Sequence, residues 1–233
     1  MRIGIIGASG NIGSKVLGEA VERGHEVRAF TRTGAAVRPS QDAVEWRDMD
    51  VFDLAAVTRE IVGLDVIVSA YRPGNGTIDP VDAIGRAIAD PTTYERVAKN
   101  LLHALQKRPA TRLIVIGAAP SLEIAPGLTM DDNDKTLREV LRGMGVPEDY
   151  AVAVRGHRDA LNVLRVSNSR WTYVSPSAEI QAGTRTGRFR VGADQLLLDA
   201  EGRSWISYED FAVAILDEIE WPQHIQRRFT VGY

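Results

Sequence analysis

The 233-residue chain has no cysteine, which excludes disulfides, thiolate metal sites and a cysteine nucleophile. Lysine is scarce. Of 28 basic residues only Lys15, Lys99, Lys107 and Lys135 are lysines, so the other 24 are arginines. Coding bias accounts for the imbalance, but it still confines lysine chemistry to four positions. No one sign of charge dominates. A net charge of -3 gives no electrostatic case for nucleic-acid or anionic-membrane partners. No apolar run approaches the ~20 residues of a membrane span. The opening MRIGIIGASG has no charged n-region ahead of a long apolar stretch, so a signal peptide is not expected and a cytoplasmic location is. The four histidines show no metal-ligand spacing, and no metal is expected.

What is present is enough to fold. At 44% hydrophobic and 25% charged, the chain can bury a core and is not a disordered tail. Its length hardly fits a dinucleotide domain plus a separate catalytic domain. One NAD(P)-binding domain over 1–233 is expected, with a core of about 1–177 and a substrate-side lobe of about 178–233.

Strands and helices alternate. Short apolar runs at 2–6, 26–30, 43–46, 65–70, 113–117 and 171–175 predict six strands. Helical periodicity falls at 11–23, 53–62, 81–89, 92–107, 133–142, 148–165 and 208–218. Segments 72–80 and 118–132 carry Pro and Gly and predict loops. The tail adds strand candidates near 188–198 and 228–231. This alternation predicts an α/β fold with a Rossmann-type, doubly wound parallel sheet, whose ligands bind at the carboxyl ends of the strands.

The residues after each strand are therefore the candidates. Strand one runs into Gly7-Ala8-Ser9-Gly10-Asn11-Ile12-Gly13. In a phosphate-binding turn Gly7 permits the tight bend, Gly10 lets the backbone approach a pyrophosphate, and Gly13 lets helix and strand pack closely. Ser9, Asn11 and Ile12 share that turn. A tight turn without a ligand is the plain alternative; a P-loop is excluded because G-K-[ST] is missing. After strand two stand Thr31-Arg32-Thr33 rather than a carboxylate. A guanidinium with hydroxyls beside it suits a ribose 2′-phosphate, so NADP(H) is expected over NAD(H). Arg38 could also reach that phosphate. After strand three, Asp50 could accept from the adenine amino group, or instead cap the helix starting near Asp53, while Val51 packs on the ring. Ser69, Ala70 and Tyr71 end strand four, where small residues let the nicotinamide ribose lie close. Gly117 ends strand five. Pro176 and Ser177 end strand six, where a backbone amide should meet the carboxamide.

GASGNIG, the T-R-T after strand two, D-V-F-D after strand three, GAAPSLEIAPG and the C-terminal TGRFRVGADQLLLDAEGRSWISYEDFAVAILDEIE…QHIQRRFTVGY together resemble the atypical short-chain dehydrogenase/reductases. Within them the chain resembles the NmrA-like, NAD(P)H-binding group that carries the label NADH-flavin reductase, and more distantly biliverdin reductase B. The resemblance spans essentially the whole chain. It implies a Rossmann fold and a reduced nicotinamide cofactor. It also places Ser121 near a serine that faces the nicotinamide in related reductases, and His157 near an active-site lysine. A histidine there could donate a proton near neutral pH; Tyr150, just after Pro147, is a further candidate.

One superfamily motif is absent. Four residues after Tyr71, Tyr94, Tyr150, Tyr173 and Tyr208 stand Asn75, Ala98, Val154, Ser177 and Ala212, and Tyr233 is the last residue. With no Tyr-x-x-x-Lys, ordinary alcohol dehydrogenation and nucleotide-sugar epimerisation are disfavoured. A flavin or quinone acceptor stabilises its own negative charge and needs less acid–base help. The expected function is hydride transfer from NADPH to such a small-molecule acceptor, with flavin as substrate rather than prosthetic group, by a monomer or homodimer. The alternatives are a non-catalytic NmrA-like redox sensor and a reductase or isomerase of a specific metabolite.

Overall fold

The computed structural model describes residues 1–32, 42–73, 80–143 and 145–233. Among these residues the chain runs β1 (Arg2–Ile6), α1 (Asn11–Glu22), β2 (Glu26–Thr31), β3 (Val44–Asp48), α2 (Leu54–Glu60) and β4 (Val66–Ser69). It continues with α3 (Pro80–Ala89), α4 (Thr93–Leu105), β5 (Arg112–Ile116), β6 (Glu123–Ala125), β7 (Leu128–Thr129), α5 (Asp134–Gly143) and α6 (Ala151–Arg165). It ends with β8 (Trp171–Ser175), β9 (Glu179–Gln181), β10 (Arg190–Gly192), β11 (Trp205–Ser207), α7 (Tyr208–Glu220) and β12 (Arg227–Gly232).

An eight-stranded sheet in the order β10-β12-β8-β5-β4-β1-β2-β3 organises the fold. Every pairing in it is parallel except β10 with β12. A parallel sheet must be covered on both faces, and the strand sequences show how. Ile3 and Ile5, Val66 and Val68, and Ile114 and Ile116 face one core, with α1 and α7 over it. Ile6, Ile67, Leu113 and Tyr173 face the other, under α2, α4 and α6. Alternate residues of one strand thus serve opposite layers. Each fully buried Ile or Leu contributes about 1.5–3 kcal/mol of transfer free energy. Gly4 in β1 lets Leu64 pack closely: a Cβ there would come 2.5 Å from the Leu64 Cδ1 methyl and shift that side chain.

Local signals set the helix starts. Asp53 caps α2 by accepting from the Ala55 and Ala56 N–H groups at 2.9 and 3.1 Å. Ser207 caps α7 by accepting from Asp210 N at 3.0 Å.

Two expectations change. The core expected over about 1–177 is extended by the 178–233 lobe: the tail strand expected near 228–231 is β12, which pairs with β8 and carries β10 on its outer side, and α7 packs on α1. The reason is that Phe229 and Val231 complete the core under α1 and α7, which only the assembled sheet brings within reach. Segment 118–132 is not structureless: it holds two 3₁₀ turns and the β6–β7 hairpin. Of the loop expected at 72–80, residues 74–79 lie outside the described residues. No helix among the described residues is long and apolar enough to cross a membrane.

Candidate functional site

The carboxyl ends of β1, β2, β4, β5 and β8 open into one cleft of about 450 Å³, within the range of small-molecule sites. At its base the chain leaves β1 through Gly7, whose φ is +77°. A Cβ on Gly7 would come 2.5 Å from the Ala70 carbonyl oxygen, and one on Gly13 only 2.1 Å from the Gly7 carbonyl oxygen. The turn is held by Gly10 N donating to Gly7 O at 3.0 Å and Gly7 N donating to Phe30 O at 3.2 Å. Gly10 is the N-cap of α1, no side chain caps the helix, and its first turn carries no acid. The first-turn N–H groups and the positive end of the helix dipole therefore face the cleft without a competing carboxylate, as an anion needs. This fits a dinucleotide pyrophosphate: a cradle that any Cβ would fill, at a helix N-terminus.

Gly7, Ser9, Gly10, Asn11, Ile12 and Gly13 all line the cleft, as do Arg32, Val51, Ala70, Tyr71, Gly117, Pro176 and Ser177. Gly117 is close-packed: its Cβ would fall 2.0 Å from the ring of Tyr173. Thr33 and Arg38 lie outside the described residues.

Three candidates are placed elsewhere. The Asp50 carboxylate accepts from Phe52 N at 2.9 Å and stays out of the lining; the turn before α2 uses it. Ser69 is buried in β4 and lines a separate inner cavity of about 20 Å³, because strand alternation turns it away from the cleft. Ser121 is also buried and absent from the lining. Its backbone carbonyl accepts from Arg228 at 2.7 Å, and Arg228 also pairs with Asp194. That contact ties the 119–121 turn to β12 and draws Ser121 away, so Ala119 and Pro120 stand at the cleft instead.

His157 and Tyr150 do line the cleft. The His157 ring lies on Tyr94, with centroids 3.7 Å apart. Burial lowers its pKa from 6.5 to about 4, so the ring is neutral near pH 7. It is not the cationic acid that its sequence position suggested. Burial raises the Tyr150 hydroxyl above the usual phenol range, with the Tyr94 hydroxyl and the Arg72 charge acting the other way. Burial raises Tyr94 still further, and Tyr150 adds to the rise. The two phenols thus act on each other, and the Arg72 charge bears on both.

Residue-by-residue reading missed several lining groups. Met49, Tyr94 and Tyr208 are among them, with Arg72 and the apolar set Met130, Leu137, Leu141, Val146 and Val154. The amphipathic pattern of α5 marks Leu137 and Leu141 as inward-facing, but not toward which ligand. Arg32 and Arg72 are the charged residues of the described lining; it contains no carboxylate and no lysine. Lys15 pairs with Glu209 at 3.0 Å and Lys99 with Glu95, both away from it.

Residues 7–222 match a family model described as NAD(P)H-binding. An uncharacterised protein of Bacillus subtilis is 36% identical over 99% of this chain and 98% of its own length. A crystal structure from Bacteroides thetaiotaomicron, provisionally named an epimerase, is 34% identical. It covers 100% of this chain and 96% of its own, with a TM-score of 0.81. Another from Streptococcus pneumoniae, provisionally named an NADH-flavin reductase, is 26% identical over 100% of this chain and 99% of its own, with a TM-score of 0.79.

Proposed function

The chain belongs to the NAD(P)H-binding family, and from that premise we propose that it is an NAD(P)H-dependent oxidoreductase acting on a flavin or quinone. The observation that carries this is the continuity of one cleft from the glycine turn to an apolar end walled by Met130, Leu137 and Leu141. When bound, the dinucleotide supplies hydride. The chain's own task is to hold donor and acceptor face to face and keep water out. In this reading Gly7, Gly10 and Gly13 leave room for the pyrophosphate, and the α1 N-terminus binds it. Phe30, Met49 and Val51 wall the adenine end. Arg32 takes a 2′-phosphate, giving a preference for NADP(H) over NAD(H). Gly117, Pro176 and Ser177 border the nicotinamide end. The acceptor is a small molecule, and the whole chain works as one NAD(P)-binding unit. The name of the Streptococcus pneumoniae relative agrees with this class of reaction.

The test is to mix the purified protein with NADPH or NADH and with FMN, FAD, riboflavin or simple quinones, and to follow cofactor oxidation. Turnover with at least one acceptor is expected. No turnover above background with any of them overturns the reading.

The missing Tyr-x-x-x-Lys pair and the neutral His157 favour a second reading, a non-catalytic redox sensor. It requires oxidised and reduced cofactor to bind with different affinities and no acceptor to be reduced.

A further inference from the structure

Resting on the oxidoreductase reading above, we propose that the acceptor is an apolar quinone rather than a flavin, and that Tyr150 donates the proton taken up by the quinone oxygen, with Tyr94 and Arg72 as positioning residues. The acceptor end is poor in polar groups. Met130 comes from the 3₁₀ turn before α5, Leu137 and Leu141 from α5, Val146 from the α5–α6 connection and Val154 from α6. Leu137, Leu141 and Val154 are buried. The hydroxyls of Tyr150 and Tyr94, the guanidinium of Arg72 and the imidazole of His157 are polar side-chain groups of the cleft near that apolar wall; Tyr71 lies there too, with its hydroxyl already hydrogen-bonded to Thr93 at 2.8 Å.

A flavin buried there would bring a ring edge with several hydrogen-bonding nitrogens and oxygens, and each one left unmatched costs free energy. A quinone brings an apolar ring and two carbonyl oxygens. The wall suits the ring. The phenol pair and Arg72 suit one carbonyl.

Tyr150 is fixed for this role by its place in the chain. It ends the 3₁₀ turn that Pro147 introduces and is the N-cap residue of α6. Its ring packs between two small clusters, one containing Tyr94 and Ala153, the other Leu137, Leu141 and Val154. Arg72 follows β4 by a few residues and bears electrostatically on both phenols. A guanidinium at that point favours charge as it develops on the acceptor oxygen. It supplies the positive charge that a lysine supplies in Tyr-x-x-x-Lys, from a different part of the chain.

The step balances. Hydride, carrying two electrons, adds at one carbonyl oxygen of the quinone, and the electron pair collects on the other. The Tyr150 O–H bond breaks as an O–H bond forms on that second oxygen. Solvent returns a proton to Tyr150. The sum is quinone plus NAD(P)H plus one proton, giving hydroquinone plus NAD(P)⁺. A phenol and a hydroquinone are acids of the same class, so the transfer is nearly balanced in energy, as efficient general acid catalysis requires.

The experiment compares benzoquinone and menadione with FMN and riboflavin as acceptors for the parent protein and for Tyr150→Phe, Arg72→Met and Arg72→Lys. Cofactor affinity and thermal midpoint are measured alongside. The parent is expected to have the higher kcat/KM with the quinones. Tyr150→Phe should lower quinone kcat by roughly 100-fold while KM and the NADPH Kd stay near parental. Arg72→Met should lose part of kcat and Arg72→Lys should restore it, which a purely structural role would not give. Arg72 is exposed, so its variants keep the test open if Tyr150→Phe folds poorly. Higher efficiency with flavins, or full quinone kcat in Tyr150→Phe, overturns this proposal and leaves the oxidoreductase reading intact. No turnover with any acceptor overturns both.

Discussion

The imidazole of His157 lies on the phenol ring of Tyr94, with centroids 3.7 Å apart and planes tilted by 32°. The contact places a titratable ring where its charged form is poorly solvated, and its pKa falls to about 4. The unfolded chain takes up that proton near 6.5, so between pH 6.5 and 4 the unfolded state binds more protons. Stability therefore holds above pH 6.5 and falls as pH drops toward 4, by at most about 3 kcal/mol at 1.36 kcal/mol per unit, and less because the ring is only partly enclosed. In His157→Gln this part of the acid limb should flatten. Denaturant midpoints between pH 7 and 4 check it; parallel curves for parent and variant would show that His157 titrates normally.

The proposed preference for NADP(H) rests on Arg32, just after β2. One charge-assisted contact is worth about 1.5–3 kcal/mol. Arg32→Ala should therefore raise the Kd for NADPH roughly tenfold to hundredfold relative to that for NADH. Titration of both cofactors by intrinsic fluorescence reads the ratio. Equal losses would refute the role.

Glycines on α1 should behave oppositely. A Cβ on Gly13 would meet the Gly7 carbonyl at 2.1 Å, and the atoms it meets are backbone. Gly13→Ala should lower stability by about 1–3 kcal/mol and abolish measurable cofactor binding. A Cβ on Gly18 would meet nothing within 4 Å, so Gly18→Ala should gain about 0.5–1 kcal/mol of helix propensity. Urea unfolding and cofactor titration of the two variants make the comparison.

At the opposite end of the sheet, Arg112 and Glu218 form a buried ion pair, and Glu218 also accepts from His224 Nδ1 at 2.7 Å and from His224 N at 2.9 Å. Burial alone would raise the Glu218 pKa, but the bonds from His224 and Gln223 and the Arg112 charge outweigh it and hold the carboxyl below the usual range. Arg112→Met should cost about 3–5 kcal/mol because it strands a buried carboxylate, and the Arg112→Met, Glu218→Met double variant should recover part of that loss. Urea denaturation decides it; a double variant no more stable than the single one would count against the ion-pair account.

The sequence by itself determined the parallel sheet and the tight glycine turn after β1, because both rest on local rules. That Ile3 and Ile5 enter one core and Ile6 the other follows from the period of a strand. Gly7 and Gly13 follow from a bend that leaves no room for a Cβ, and Gly10 from one that leaves little. The absence of Tyr-x-x-x-Lys could be read from spacing alone. Long-range packing decided the rest. Nothing near Ser121 in the chain announces that Arg228, 107 residues away, holds its backbone and turns it from the cleft. Nothing near His157 announces that Tyr94 lies on its ring and that burial keeps it neutral. The tail joins the main sheet because β12 finds an open edge beside β8, which exists only once the first strands are assembled. The lysines tell the same story: composition showed that they are few, while in the folded chain it is Arg72 that lines the cleft with Tyr94 and Tyr150 and whose charge bears on both phenols. A charge acts through distance in space, and sequence separation does not report that distance.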